Sequence, residues 1–140
     1  MKISSKTKYA LLTVMDLAMY RNTGIIKVAD IAKRQDIPQK FLEQILLLLK
    51  GAGIVTSKRG SKGGYALTRP ASEITLASIV RLTEASLLVS NEPEGSESNC
   101  PFREVWDEID AYIQHRLETV KIQNICERRE ETSWVPEYSI

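Results

Sequence analysis

The sequence predicts a mainly α fold with one small β-hairpin, and three observations carry that prediction. Apolar residues recur at helical spacing over residues 9–19, 28–32, 41–49, 76–82 and 102–120. Two short runs rich in strand formers, 54–57 and 65–67, flank Lys58-Arg-Gly-Ser-Lys-Gly-Gly64, which reads as the tip of a hairpin. Charge is also unevenly placed: residues 1–70 hold 13 Lys and Arg against 4 Asp and Glu, a net +9, whereas residues 71–140 hold 6 against 14, a net −8. The formal +1 of the 140-residue chain hides this dipole. A basic half suits a polyanion, and an acidic half suits dimerisation or sensing.

The first helix is expected to be capped by Ser4 or Ser5 and to carry Tyr9, Leu11, Leu12, Val14, Met15, Leu17, Ala18 and Met19, ending between Asn22 and Gly24. Ser4, Ser5, Lys6 and Lys8 sit at its positive end. They suit a phosphate, although for the serines simple capping is the first reading. Val28, Ala29, Ile31 and Ala32 then mark a short second helix, followed by a turn at residues 35–38 in which Ile37 would plug the junction. Pro38 opens the third helix at a permitted first-turn position, and Gly51 and Gly53 stop it. Its apolar residues are Phe41, Leu42, Ile45, Leu46, Leu48 and Leu49, whereas Gln39, Lys40, Glu43 and Gln44 keep its start polar. Two short helices joined by a tight turn make a helix-turn-helix, and polar side chains at the start of the second helix are placed to meet base edges or phosphates.

The hairpin tip would be a wing. Gly60, Gly63 and Gly64 permit positive φ and close backbone approach, and Lys58, Arg59 and Lys62, with Ser61 between them, suit phosphates or a narrow minor groove. Standing alone, such a tip reads first as an ordinary solvated loop; the helix-turn-helix directly upstream reverses that preference. Leu76, Ile79, Val80 and Leu82 then define a linking helix opened by Thr75. Residues 86–99 are rich in Ser and Glu, with Pro93 and Gly95, and read as a mobile loop. A long helix over about 101–121 follows, its stripe formed by Phe102, Val105, Trp106, Ile109, Tyr112, Ile113, Leu117 and Val120. One small chain does not readily cover that stripe, so Phe102, Val105, Trp106, Ile109, Ile113, Leu117 and Val120 are assigned to a homodimer, against the alternative of an internal core stripe. The expected organisation is a winged helix-turn-helix domain with linking helix over 1–84, a flexible sensory loop over 85–100, and a dimerisation helix with C-terminal tail over 101–140.

Other classes find little support. Residues 1–6 lack the apolar stretch of a secretory signal and no run approaches membrane-spanning length, so a cytoplasmic protein without a membrane partner is expected. There is no nucleophile elbow, phosphate-binding loop or metal-binding histidine pair, and the hairpin glycines are not followed by a helix, so no enzyme is expected. Two cysteines, Cys100 and Cys126, make neither a disulfide scaffold nor a complete metal site within one chain. Cys100 precedes Pro101 at a helix start, where the dipole and unpaired amides favour a reactive thiol; a helix-start cysteine with no regulatory task is the alternative. Cys126 reads as a packing residue.

Met1-Lys-Ile-Ser-Ser-Lys6 with Tyr9-Ala10, Ile31-Ala32, Phe41-Leu-Glu-Gln44, Arg59-Gly60 with Gly63-Gly-Tyr65, and Ile74-Thr75 together resemble the winged-helix transcription regulators that include the iron–sulfur regulator IscR, the nitric oxide sensor NsrR and the cysteine-metabolism repressor CymR. The likeness covers nearly the whole chain. It implies a homodimer in which Gln39, Lys40, Phe41, Glu43 and Gln44 face the major groove of an operator, Glu43 tuning sequence preference, while Arg59 and the wing glycines enter or flank the minor groove. Cluster-binding relatives carry three closely spaced cysteines in the loop and at the start of the long helix. Here only Cys100 matches, Arg103 stands where a histidine ligand can occur and Lys8 where an acidic ligand can come from the other subunit. No metal ligand set is assigned and no cofactor is expected, an iron–sulfur cluster with atypical ligands being the alternative. Cluster-free relatives suggest a protein partner, O-acetylserine thiol-lyase, and the tail ending in Tyr138-Ser-Ile140 resembles the isoleucine-ended tails that plug that enzyme. The expected function is thus a sequence-specific transcription regulator, a repressor answering redox, cysteine or sulfur signals. A protein-interaction adaptor is the alternative from another class.

Overall fold

The computed structural model describes residues 2–88 and 100–133. Over these, six α-helices surround and extend a two-stranded antiparallel hairpin. The hub is α1, Ser5–Met19, which packs against all of the other helices except α5 and also against the hairpin. Ser4 caps it, its hydroxyl accepting the Thr7 N–H at 3.2 Å. Ala10, Thr13, Val14, Met15, Asp16 and Leu17 are all buried, so the helix is covered on several sides. The buried Thr13 hydroxyl is satisfied within α1 by the carbonyl of Tyr9, 2.7 Å away.

One of those buried residues is a charge. Asp16 receives Arg34 Nε at 2.9 Å on one carboxylate oxygen and Arg34 Nη2 at 2.8 Å on the other, with Gln35 Nε2 adding a third bond at 2.9 Å. The guanidinium carbon also lies 4.0 Å from the centre of the Tyr20 ring. Arg34 and Gln35 end α2, Val28–Gln35, so this bidentate pair fixes the first helix of the reading motif to the hub. The turn that follows places Asp36 in the left-handed region, φ 52°, and sends Ile37 into the core. Pro38 is the N-cap of α3, Gln39–Gly51, one position earlier than the expected first turn. Leu42, Ile45, Leu46 and Leu49 of α3 are buried, and the helix packs across α1 and α2.

The hairpin joins β1, Val55–Lys58, to β2, Gly64–Leu67, with Val55 opposite Leu67 and Lys58 opposite Gly64. Both strands differ by one residue from the sequence expectation. Ile26 also pairs with Tyr65, the two amides donating to the opposite carbonyls at 2.9 and 2.8 Å. That bridge ties the hairpin to the segment before α2. It also explains Gly64, because a Cβ there would run into the carbonyl of Ile26.

Thr75 caps α4, Leu76–Thr83, accepting the Ser78 N–H at 3.1 Å as expected. The C-terminal third departs from expectation. The long helix α5 spans Arg103–Thr119 and stops at Val120, where the backbone becomes extended, φ −81° and ψ 122°. Val120 O accepts from Leu76 N at 2.8 Å, Ile122 N donates to Ile74 O at 2.9 Å, and a further helix, α6, runs Ile122–Ser133. The break has a packing cause: Ile122 and Cys126 are buried in the same core as α1. It also has a local one, since the Asn124 side chain accepts the Lys121 N–H at 2.9 Å, reaching back from the first turn of α6. Val120, only 8% exposed, therefore belongs to the interior of the chain and not to a dimerisation face.

The Asp16 pair generates a test. Asp16→Ala should lower unfolding stability by about 2–3 kcal/mol in urea, because it leaves charge-directed donors without their acceptor. A loss well under 1 kcal/mol would show that apolar packing alone fixes α2.

Candidate nucleic-acid interface

The first turns of α3 present Gln39, Lys40, Phe41, Glu43 and Gln44, all exposed, while Leu42 and Ile45 between them point into the core. Helical geometry makes this division: a helix pinned by one face must show the other. Gln39 Nε2 lies 3.3 Å from Glu43 Oε1, so the two polar side chains of successive turns already lean on one another. Phe41 is 56% exposed, and its ring centre lies 6.4 Å from that of Tyr9 on α1. Between the start of α1 and α3 runs a groove of about 500 Å³ lined by Ser5, Lys6, Tyr9, Phe41, Gln44, Ile45 and Leu48. The fold thus brings Lys6, distant in sequence, beside Phe41 and Gln44.

Ser4 takes the capping role that the sequence offers beside the phosphate one. Its hydroxyl caps α1, and its own N–H donates to Glu84 Oε1 at 2.7 Å. Thr7 Oγ1 donates to the same oxygen at 2.6 Å. The carboxylate of Glu84, at the end of α4, therefore sits at the positive end of α1, where the helix dipole favours an anion. The hydroxyls of Thr7 and Ser4, with the Ser4 amide, hold the Glu84 carboxyl down to about 2. Sequence reading had no signal for this contact beyond the capping residues themselves, because its two ends are 80 residues apart.

At the wing, Lys58, Arg59, Gly60, Ser61 and Lys62 are exposed. Gly60 adopts φ +114°, and the Gly63 N–H closes the tip on the Gly60 carbonyl at 2.9 Å. A side chain at Gly63 would strike the carbonyl of Lys58. Gly63 and Gly64 thus have structural reasons of their own, and the cations rest on a turn of defined shape.

The stripe on α5 divides along its length. Phe102, Val105 and Trp106 are 61%, 47% and 39% exposed, and the rings of Phe102 and Trp106 lie 6.4 Å apart. Ile109, Ile113 and Leu117 are half-buried, and the helix packs on α4. Cys100 is half-buried, its carbonyl accepting the Arg103 N–H at 3.1 Å. Cys126 is buried against α1 and its burial pushes the thiol up. Most of the expected sensory loop and the tail residues Tyr138 and Ile140 lie outside the described residues. Among the described residues, no helix is long and apolar enough to cross a membrane.

A helix-turn-helix closed by a β-hairpin at its C-terminal side, with the second helix and the hairpin tip both open to an outside surface, is a winged helix-turn-helix of DNA-binding type. The chain belongs to the Rrf2 family, described as iron-dependent transcriptional regulators, whose model matches residues 3–128. It is 34% identical over 135 residues to a chain of Neisseria meningitidis assigned to the helix-turn-helix transcriptional regulators, covering 92% of this chain and 90% of that one. It is 31% identical over 134 residues to the transcriptional regulator IscR of Cereibacter sphaeroides, covering 89% and 86% of the two. The structure is similar to that of CymR, the global cysteine regulator of B. subtilis, with a TM-score of 0.82, 28% identity and coverage of 91% of this chain and 98% of the other. The protein is a transcriptional regulator and not an enzyme.

Glu84 gives a pH prediction. Its folded pKa lies below the ordinary 4.5, so its contribution to stability is full above about 4.5 and is lost as pH falls toward 2. Glu84→Ala should therefore lower the melting temperature at pH 7 and approach wild type in scans at progressively lower pH. A gap that stays constant down to pH 2 would show that the carboxylate charge plays no part.

Proposed function

We propose that the protein is a homodimeric, sequence-specific DNA-binding regulator, acting as a repressor, that reads an operator with α3 and the wing. The observation that carries this reading is the division of α3: one face is sealed in the core, and its first turns offer amide, carboxylate, ammonium and phenyl groups outward. Gln39 and Gln44 suit adenine edges, and Glu43 accepts from cytosine N4 while repelling acceptors. Lys40 and Lys6 suit the flanking phosphates, and Arg59 with Lys58 and Lys62 suits the adjacent minor groove. The net +9 of residues 1–70 provides the field that draws DNA to this half.

Dimerisation is supported by the exposed Phe102, Val105 and Trp106, and by an apolar groove of about 410 Å³ lined by Leu11, Leu12, Met15, Leu76, Ile122, Ile125 and the stem of Lys8. Two copies joined in this way would read half-sites about 34 Å apart or a multiple of it. For the signal, the donor set does not fit a cluster held by four thiolates: the chain has two cysteines, and Cys126 is committed to the core. Regulation through Cys100 thiol chemistry, or through a partner such as O-acetylserine thiol-lyase taken by the tail at Tyr138 and Ile140, agrees better with these residues. The likeness to a cysteine regulator supports the same direction. A cytoplasmic location accords with this role.

Selection of binding sites from a random duplex library, followed by titration at several salt concentrations, tests the reading. Arg59→Ala and Lys62→Ala should each weaken binding and reduce the slope of log K against log salt by about 0.9. Glu43→Ala should change the preferred base at one position more than the overall affinity. Wild-type behaviour in all three variants would remove α3 and the wing from the interface. In sedimentation, Trp106→Glu should convert a dimer to a monomer; an unchanged dimer would place the interface elsewhere.

A further inference from the structure

Phe41 is the one side chain on the outward face of the first turns of α3 that cannot hydrogen-bond. More than half of its surface is exposed although Leu42 beside it is fully buried, so the helix turns this phenyl outward. The ring is not loose: Tyr9 of α1 backs it at 6.4 Å with the ring planes inclined by 41°. It borders the groove whose floor is apolar, formed with Tyr9, Ile45 and Leu48, and whose rim is polar, formed by Ser5, Lys6 and Gln44. An apolar surface beside a lysine and a glutamine, on a helix that enters the major groove, has a narrow chemical match. Of the groups that base pairs present in the major groove, the C5-methyl of thymine is the projecting apolar one; cytosine has only a C5–H at that position.

Resting on the DNA-binding reading above, we infer that Phe41, held in place by Tyr9, is a specificity-determining residue that reads the C5-methyl of one thymine in each half-site. The phenyl face and the groove floor cover the methyl, while Lys6 and Ser5 at the rim lie toward the phosphate side. Gln44, on the same wall, suits an adenine N6 and N7 edge, so the position next to Phe41 is matched to A·T pairs. Discrimination comes from the methyl itself: buried against the ring it is favourable, and cytosine or uracil, with only C5–H at that position, leaves the ring and groove floor without it.

The test uses the full-length chain and the duplex it enriches most strongly from a random library. Each thymine is replaced singly by deoxyuridine, which removes only the methyl, and affinity is measured by fluorescence anisotropy at fixed salt for wild type, Phe41→Ala and Arg59→Ala. At one thymine per half-site, uracil should weaken wild-type binding about three- to fivefold, the magnitude of one buried methyl. Phe41→Ala should bind more weakly than wild type and lose the distinction between thymine and uracil there, a coupling that a merely structural role for the ring would not produce. Arg59→Ala should bind more weakly yet keep the distinction. If uracil is neutral at every position, or discriminated equally by wild type and Phe41→Ala, while Arg59→Ala still weakens binding, the assignment of Phe41 is wrong and the DNA-binding reading stands. If no sequence is enriched, both fall.

Discussion

A carboxylate buried within the core has to be paired where it sits, and Asp16, near the end of α1, is paired by the end of α2. Two bonds from Arg34, one from Gln35 and the ring of Tyr20 beneath the guanidinium leave little freedom in how the helix-turn-helix meets the hub. The left-handed Asp36 and the buried Ile37 pass that orientation on through the turn. The buried leucines of α3 then set which side of the reading helix is sealed and which is offered. The orientation of the exposed face of α3 is thus inherited from a charge pair away from it.

The second fixed point is the start of α1. A helix N-terminus on a basic surface is a ready anion site, and here the chain supplies its own anion from α4. Glu84 caps the end of α4, so that end is mechanically joined to the helix that carries Lys6 and Tyr9. The Ile26 bridge does the equivalent for the wing, tying its stem to the segment entering α2. Reading helix, wing and the basic start of α1 are therefore connected through one hub.

Acidic residues and exposed aromatic ones share the other half. Along α5, the early stripe stays open at Phe102, Val105 and Trp106, whereas its last member turns inward because the chain reverses at Val120 to seat α6 beside α1. Seating α6 buries Cys126 and raises its thiol, which leaves Cys100, just before α5, as the half-buried thiol.

Much of this was legible in the order of residues. Helical periodicity, glycine stops and the serine and threonine caps located the start of α1, α2 through α4 and the hairpin to within a residue or two, because those signals are local; α1 itself ends at Met19, short of the expected Asn22–Gly24, where the chain passes into a 3-10 turn. The outward residues of α3 and the wing followed from the same pattern, and the family from short motifs spread along the chain. What only the tertiary structure decided involves partners far apart in sequence: the Asp16 clamp, the Glu84 anchor on Ser4 and Thr7, the bridge behind Gly64, and the break at Val120. No proline or glycine marks that break. It exists because burying Ile122 and Cys126 against α1 outweighs continuing one long helix, and that balance is set by packing which no local pattern records.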